Sequence, residues 1–484
     1  VLPDAASLDD ILGAHPNSNI SGDSRKILPG DIYVSWKLIE FCSSAIIAGA
    51  SVVMVDHNIQ IPDDIIDLAR EKKCDIYKYN NYKDTLFYLL RKRYSQIPSN
   101  IATVTGTNGK TSVVHFAKEI IFRMKYKCIS IGTLGIVNEN GVLEKKDDTL
   151  TTPSVWDLYR TLNDAKKRDV DYCLIEASSH GIVQGRLGNI LINAAAFTNI
   201  GLDHLDYHKT IDEYFAAKKL LFTQKLDQHG TAILNADVEE FDELNSICQK
   251  RGIKIIDYGY KAKQLKIISL QFRDNISYVR ISYRDKEHLF QTPIIVDFQI
   301  HNIVCAIGIC INYGFKVEEI LPHLMSIHPP KGRMEEIIFN HNRTGIYVDY
   351  AHTPDALLTA INSIKKYYTG KFILVFGCGG DRDKSKRKLM GGIASRNADY
   401  IIVTDDNPRS ENPNNIRHEI ISGFADNNFI DIADRNDAIK HAIVQKKSDD
   451  VILIAGKGHE DYQIIGENKT YISDYNTVIA ALSD

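Results

Sequence analysis

The stretch Thr103-Val-Thr-Gly-Thr-Asn-Gly-Lys-Thr-Ser112 constrains this chain more than any other. It sets glycines, a lysine and adjacent hydroxyls between an apolar run, Ile101–Val104, and a helical pattern in which Val113, Phe116, Ala117, Ile120, Ile121 and Met124 share a face. Strand, glycine loop and helix in that order form a phosphate cradle. Gly106 and Gly109 admit phosphate oxygens to the backbone of Thr107, Asn108 and Ser112, the helix start offers unpaired N–H groups, Lys110 offsets charge, and the Thr111 hydroxyl can hold Mg²⁺. The loop is shorter than the standard one, which would place glycine where Val104 stands.

At 484 residues the chain is too long for one core and is expected to form about three domains. Its 44% hydrophobic and 25% charged residues are globular values, and a net charge of −4 argues against nucleic acid as a partner. The longest apolar stretch, Ala45–Val55, is broken by Gly49 and Ser51 and is far too short for a bilayer, so no membrane partner is expected. No charged-then-apolar signal segment opens the sequence. Eight cysteines without a Cys-x-x-Cys pair fit scattered core positions and a reducing cytoplasm. A monomer is expected.

Two seams, Ser95–Asn100 and the proline pair within His328–Arg333, divide the chain into 1–96, 97–329 and 330–484. In the second part, the apolar runs Tyr172–Ile175, Ala194–Phe197 and Thr231–Leu234 each lead into a polar loop. The third part repeats this with Ile346–Val348, Phe372–Phe376, Tyr400–Val403 and Val451–Ile454. Continuous apolar strands separated by helical stretches predict an α/β chain with parallel sheets covered on both faces. Ligands then gather at the carboxyl ends of the strands, where the polar loops fall.

Glu176 ends one strand and is placed either to reach a metal on the phosphate loop or to cap the next helix. Ser178 and Ser179 lack a nucleophile elbow, so a serine hydrolase is set aside. The segment Asp203–His208 is rich in metal-ligand types; His204 suits a second Mg²⁺ or a hydrogen-bonded structural role. By spacing alone Lys218 is a solvated helix lysine. In the third part, four strand ends carry Arg382, Asn407, Arg409 and Glu460. A pocket with both signs of charge suits a zwitterion such as an amino acid, although each loop alone would also serve as a cap or turn.

Twelve ordered segments together resemble the Mur ligases, ATP-dependent enzymes that add amino acids to the peptidoglycan precursor: Asp23–Arg25, Thr105–Ser112, Thr151–Pro153, Glu176–Gly181, Gln184–Arg186, Asp203–His208, Ala216–Lys218, Gly332–Met334, Asp349–Pro354, Gly379–Asp383, Asp406–Arg409 and Gly456–Glu460. The resemblance implies an N-terminal α/β uridine-binding domain, a central P-loop-type ATPase domain and a C-terminal Rossmann-like domain. It also implies catalytic roles for Lys110, Glu176, His204 and Lys218. Two Mg²⁺ ions are implied, one on Thr111 and Glu176 and one on His204 and a Lys218 carbamylated by CO₂, since a carbamate holds a hard cation that an ammonium would repel. Asn302, Arg333 and Asp349 match contacts to ATP. Ser24, Thr151, Thr152, Ser178, Gln184 and Arg186 match contacts to UDP-N-acetylmuramoyl-L-alanyl-D-glutamate.

Within the family, Asp406, Asn407, Pro408 and Arg409 go with meso-diaminopimelate, because the arginine pairs with its second carboxylate; Arg382, Gly456 and Glu460 match the remaining contacts. The implied reaction runs through an acyl phosphate to an amide, ADP and phosphate. Two relations compete. A folate polyglutamate ligase usually has glycine where Thr111 stands, and a motor-type ATPase has no use for Glu176, His204 and Lys218 together. The chain departs from the family at Ser35–Cys42, which replaces a longer uridine-binding loop, and at Gly22, Leu150 and Gln299.

Overall fold

Alternate residues of the central strands enter two different cores, which is why these strands are apolar without interruption. Ile101, Cys173, Ile175 and Phe197 face one core, whereas Ala102, Val104, Leu174 and Ala196 face the other. The computed structural model describes residues 7–36, 39–138, 141–144, 150–201, 203, 205–426 and 428–483.

The first sheet is parallel and holds β1 (Ile20–Ser21), β2 (Ile32–Val34), β3 (Val52–Asp56) and β4 (Asp75–Tyr79) in that order. One of its faces, through Ile32, Val34 and Met54, shares a core with the helix Val155–Lys167 of the next part of the chain.

The second sheet contains β5 (Asn100–Thr105), β6 (Cys128–Gly132), β7 (Gly135–Asn138), β8 (Gly141–Glu144), β9 (Tyr172–Glu176), β10 (Ile192–Phe197), β11 (Leu226–Asn235), β12 (Lys254–Gly259), β13 (Leu265–Arg273), β14 (Ile276–Tyr283) and β15 (Lys286–Thr292). Their order is β15-β14-β13-β12-β11-β10-β5-β9-β6-β7-β8. The predicted parallel arrangement holds from β13 through β6, and antiparallel strands extend both margins. Since β9 and β10 flank β5, the loop after β5 opens where the chain order reverses, the usual ligand crevice of such sheets.

The third sheet contains β16 (Glu335–Phe339), β17 (Asn342–Asp349), β18 (Phe372–Phe376), β19 (Tyr400–Val403), β20 (Phe429–Asp431) and β21 (Val451–Ala455), in the order β16-β17-β21-β18-β19-β20. Only β16 among them runs antiparallel to its neighbour. The hairpin of β22 (Tyr462–Ile465) and β23 (Asn468–Tyr471) stands beside it. Because β17, β21, β18 and β19 are parallel, the loops after Asp349, Ala455, Phe376 and Val403 emerge at one edge. No helix among the described residues is long and apolar enough to cross a membrane.

Candidate active site

The phosphate loop joins β5 to the helix Lys110–Arg123, and Gly109 at its end takes φ 86°, a left-handed conformation that a side chain would resist. The loop is tied down from β10: Thr107 N–H donates to the Asn199 carbonyl at 2.9 Å and Asn108 N–H to Asn199 Oδ1 at 2.9 Å. Lys110 Nζ donates to the Gly106 and Thr107 carbonyls at 2.8 and 2.9 Å. Ser112 is buried in the first turn of the helix.

Val104 pairs with Glu176 in the β5–β9 register, so the glutamate emerges beside the loop. Thr111 Oγ1 donates to its Oε2 at 2.9 Å, Thr133 Oγ1 to the same oxygen at 3.1 Å, and Thr133 N–H to Oε1 at 2.8 Å. Glu176 therefore faces the loop rather than capping the next helix; that cap is Ser178. Its buried carboxylate and two hydroxyls form an all-oxygen set, which fits Mg²⁺.

Lys218 lies on the helix Ile211–Leu220 and is 1% exposed, so the solvated position expected from its spacing is not what the fold gives it. Its Nζ donates to the Gly106 carbonyl at 2.9 Å and stands 4.2 Å from the centre of the Tyr214 ring. Burial, and then the Lys110 cation, push this amine well below the usual lysine range. The other expected metal ligand, His204, lies outside the described residues.

Most of the remaining central positions fall into two groups. Thr152 Oγ1 donates to the Glu176 carbonyl at 2.8 Å and accepts from Ser178 N–H at 2.9 Å. Arg186 Nη1 reaches the Thr152 carbonyl at 2.9 Å, and its Nε reaches Gln184 Oε1 at 2.9 Å. Thr151 joins through Thr133 Oγ1 at 3.3 Å. Ser24 is buried on a separate short turn, Ser24–Lys26, whose Lys26 pairs with Asp157 at 3.0 Å. The second group approaches Thr111 from the seam at His328–Arg333: Arg333 Nη2 lies 3.3 Å from Thr111 Oγ1, with its guanidinium 4.5 Å from the Tyr350 ring centre. Gln299 Nε2 donates to the Arg333 carbonyl at 2.9 Å, and Gln299 Oε1 accepts from buried Asn302 at 2.9 Å. Asp349 accepts from Met334 N–H at 2.7 Å and from Ala351 N–H at 2.9 Å, and burial pushes its carboxyl up to about 6.

At the edge of the third sheet, Asn407 Oδ1 accepts from Ile464 N–H at 3.0 Å and from Lys457 Nζ at 3.3 Å. These donors fix the amide so that its Nδ2 donates to Glu460 Oε2 at 2.8 Å. Half-buried Arg409 donates from Nη1 to the Gly380 carbonyl at 2.8 Å. Asp406 is buried against Gly456, and Pro408 packs on Gly380. Arg382 stands exposed, donating to the Asp381 carbonyl at 3.1 Å.

Residues 104–310 match the Mur ligase middle domain, and residues 332–458 match the Mur ligase glutamate ligase domain. The chain belongs to the Mur ligase family. A relative from Rickettsia bellii, named UDP-N-acetylmuramoyl-L-alanyl-D-glutamate–2,6-diaminopimelate ligase, is 40% identical over 97% of this Mur ligase and 96% of its own length. A protein of the same name from Anaplasma marginale is 38% identical over 96% of each chain. A solved structure of a ligase of that name matches with TM-score 0.64 and 29% identity over 96% of this chain and 94% of its own. The folylpolyglutamate synthase of Mycobacterium tuberculosis, at 15% identity, TM-score 0.62 and coverage of 76% of this chain and 91% of its own, shares the fold alone.

Three residues of this Mur ligase escape the sequence reading. Thr133 binds Glu176 from the end of β6, a strand that Ser130 interrupts, so its apolar signal is weaker than that of the others. Lys457 is fully buried between two glycines and pairs with Glu460 at 3.6 Å. His208, buried, holds Ser179 Oγ at 2.9 Å; nothing in the sequence separates it from His204.

Proposed function

We propose that this Mur ligase joins meso-diaminopimelate to the D-glutamate of UDP-N-acetylmuramoyl-L-alanyl-D-glutamate, cleaving ATP to ADP and phosphate. The observation that carries the reading is the half-buried Arg409 set beside Asn407 and Glu460 at the edge of the third sheet. A guanidinium there supplies a bidentate partner for the second carboxylate of diaminopimelate, which lysine lacks. The relatives named for that same reaction, aligned over nearly the whole chain, support it.

In this reading residues 1–96 receive the uridine nucleotide, residues 97–329 bind ATP and perform the phosphoryl transfer, and residues 330–484 bind the amino acid. Gly106, Thr107, Asn108, Gly109, Lys110, Thr111 and Ser112 cradle the phosphates, while Asn302, Arg333 and Asp349 hold the rest of ATP. Ser24, Thr151, Thr152, Ser178, Gln184 and Arg186 seat the muramoyl dipeptide. Arg382, Asp406, Asn407, Pro408, Arg409, Gly456 and Glu460 seat diaminopimelate. Thr111 and Glu176 would hold one Mg²⁺, and His204 with Lys218 in its carbamate form the other; bound there, the ions offset charge on the transferring phosphoryl group.

The dipeptide carboxylate attacks the γ-phosphorus, an O–P bond forms, and the bond to the β-phosphate breaks with release of ADP. Lys110 neutralises charge as this happens. The neutral amine of diaminopimelate then attacks the acyl carbon, the C–O bond to phosphate breaks, and the nitrogen loses a proton to leave the amide. The eight buried, free cysteines support a cytoplasmic setting. Phosphate release is expected only when ATP, the muramoyl dipeptide and diaminopimelate are all present. Equal release with ATP alone sinks the reading.

A further inference from the structure

Arg387 is a fully buried arginine on a helix of the third sheet, and the reaction as derived does not use it. It sits in the first turn of the helix Ser385–Asn397, directly after the loop that carries Arg382. Its two terminal nitrogens grip both oxygens of Glu411, at 3.0 Å from Nη1 and 2.9 Å from Nη2. Nη1 also reaches Glu419 at 2.9 Å, and Nη2 the Gly379 carbonyl at 3.2 Å.

Gly379 and Glu411 belong to two loops that the sheet brings side by side, and Glu419 to the helix Pro413–Ile421 that follows the second. Asp381 on one and Arg409 on the other are both left-handed, at φ 53° and 52°, a conformation that costs a residue with a side chain on the order of 1 kcal/mol and persists only where neighbours enforce it. Arg409 is held in part by the hairpin beside the sheet, its N–H donating to the Ile464 carbonyl at 2.9 Å, and Asp381 is held through Arg387. Glu411, held in its bidentate grip, accepts the Asp381 N–H at 2.7 Å, and Ser410 Oγ donates to Asp381 Oδ1 at 2.6 Å. Gly380 lies between the gripped Gly379 and Asp381, and its N–H donates to the Asn407 carbonyl at 2.9 Å. The Gly380 carbonyl is where Arg409 docks.

We propose that Arg387 is the positioning residue that sets the Arg409 guanidinium, and through it the selectivity for an amino acid with a second carboxylate. The inference rests on the function proposed above. Arg387→Lys keeps the charge but loses the bidentate fork; Glu411→Gln keeps the volume and weakens the same grip from the other side, and stands in should the first variant fail to fold.

The test is steady-state kinetics of both variants with diaminopimelate and with lysine, alongside the KM values for ATP and the muramoyl dipeptide. The expected result is a KM for diaminopimelate raised about ten- to hundredfold, with the diaminopimelate-to-lysine ratio of kcat/KM falling in step. KM for the other two substrates stays within about threefold of wild type. A folded variant with wild-type KM and ratio overturns the proposal, as does an equal rise in all three KM values. If the wild-type enzyme itself fails to use diaminopimelate, the function reading falls instead.

Discussion

A lysine without water around it, and with a second cation close by, is a poor ammonium. Lys218 is in that position, beside Lys110 and under the Gly106 carbonyl, and its lowered pKa favours the neutral amine, the form that the proposed carbamylation requires. Lys218→Ala is expected to lower kcat by at least about 100-fold, with partial recovery when a short carboxylic acid is added; ADP release measures both. Undiminished turnover contradicts the role. Asp349 supplies a second residue-level test. Its folded pKa of about 6 lies above the ordinary 3.8, so the folded protein takes up this proton more readily than the unfolded chain. The group therefore costs stability above pH 6, and the cost fades as pH falls towards 4. Urea unfolding is expected to show Asp349→Asn gaining on wild type as pH rises across that window, by at most about 3 kcal/mol and less where water reaches its half-buried edge. A gap independent of pH would show that Asp349 titrates normally. Sequence spacing leaves Lys218 on a solvated face because its burial comes from a carbonyl 112 residues earlier, and no local pattern carries that contact.

The strand ends are the elements that build the site, and Gly132 shows how closely they meet. It ends β6 beside β9, where an added methyl group would fall on the Glu176 carboxylate. Gly132→Ala is expected to reduce kcat about 10- to 100-fold by displacing Glu176, with a stability loss of about 1–3 kcal/mol; kinetics and thermal unfolding of the same sample separate the two. Unchanged kcat would mean that Glu176 is not held where it acts. Apolar runs such as Phe372–Phe376 announce themselves because they are buried on both faces, which made the parallel cores and their polar loops legible. The margins were not. The hairpins turn at Asp274-Asn275, Arg284-Asp285 and Asn340-His341, all left-handed yet without the glycine that usually marks such turns.

Across the whole molecule, the seam before the third sheet lies along the phosphate-loop helix. His115 Nε2 is 3.2 Å from the His328 carbonyl and Arg123 Nη2 donates to Ser326 at 2.6 Å, while Arg333 reaches back to Thr111. The helix that begins at the phosphate loop thus contacts the segment that leads into the third sheet. Replacing His115 and Arg123 together with alanine is expected to speed tryptic cleavage after exposed Lys331 by about three- to tenfold; cleavage at the wild-type rate would show that these contacts do not hold the seam. The proline pair makes this seam visible in sequence, but not the helix it lies on. Selection of the amino acid through Arg409, as proposed, is tested most directly by amide formation with diaminopimelate, lysine and glutamate offered in parallel to wild type and to Arg409→Ala. Product is expected from diaminopimelate alone in the wild type, with loss of its preference over lysine in the variant. Product from lysine alone, or identical kinetics in the two proteins, would contradict it.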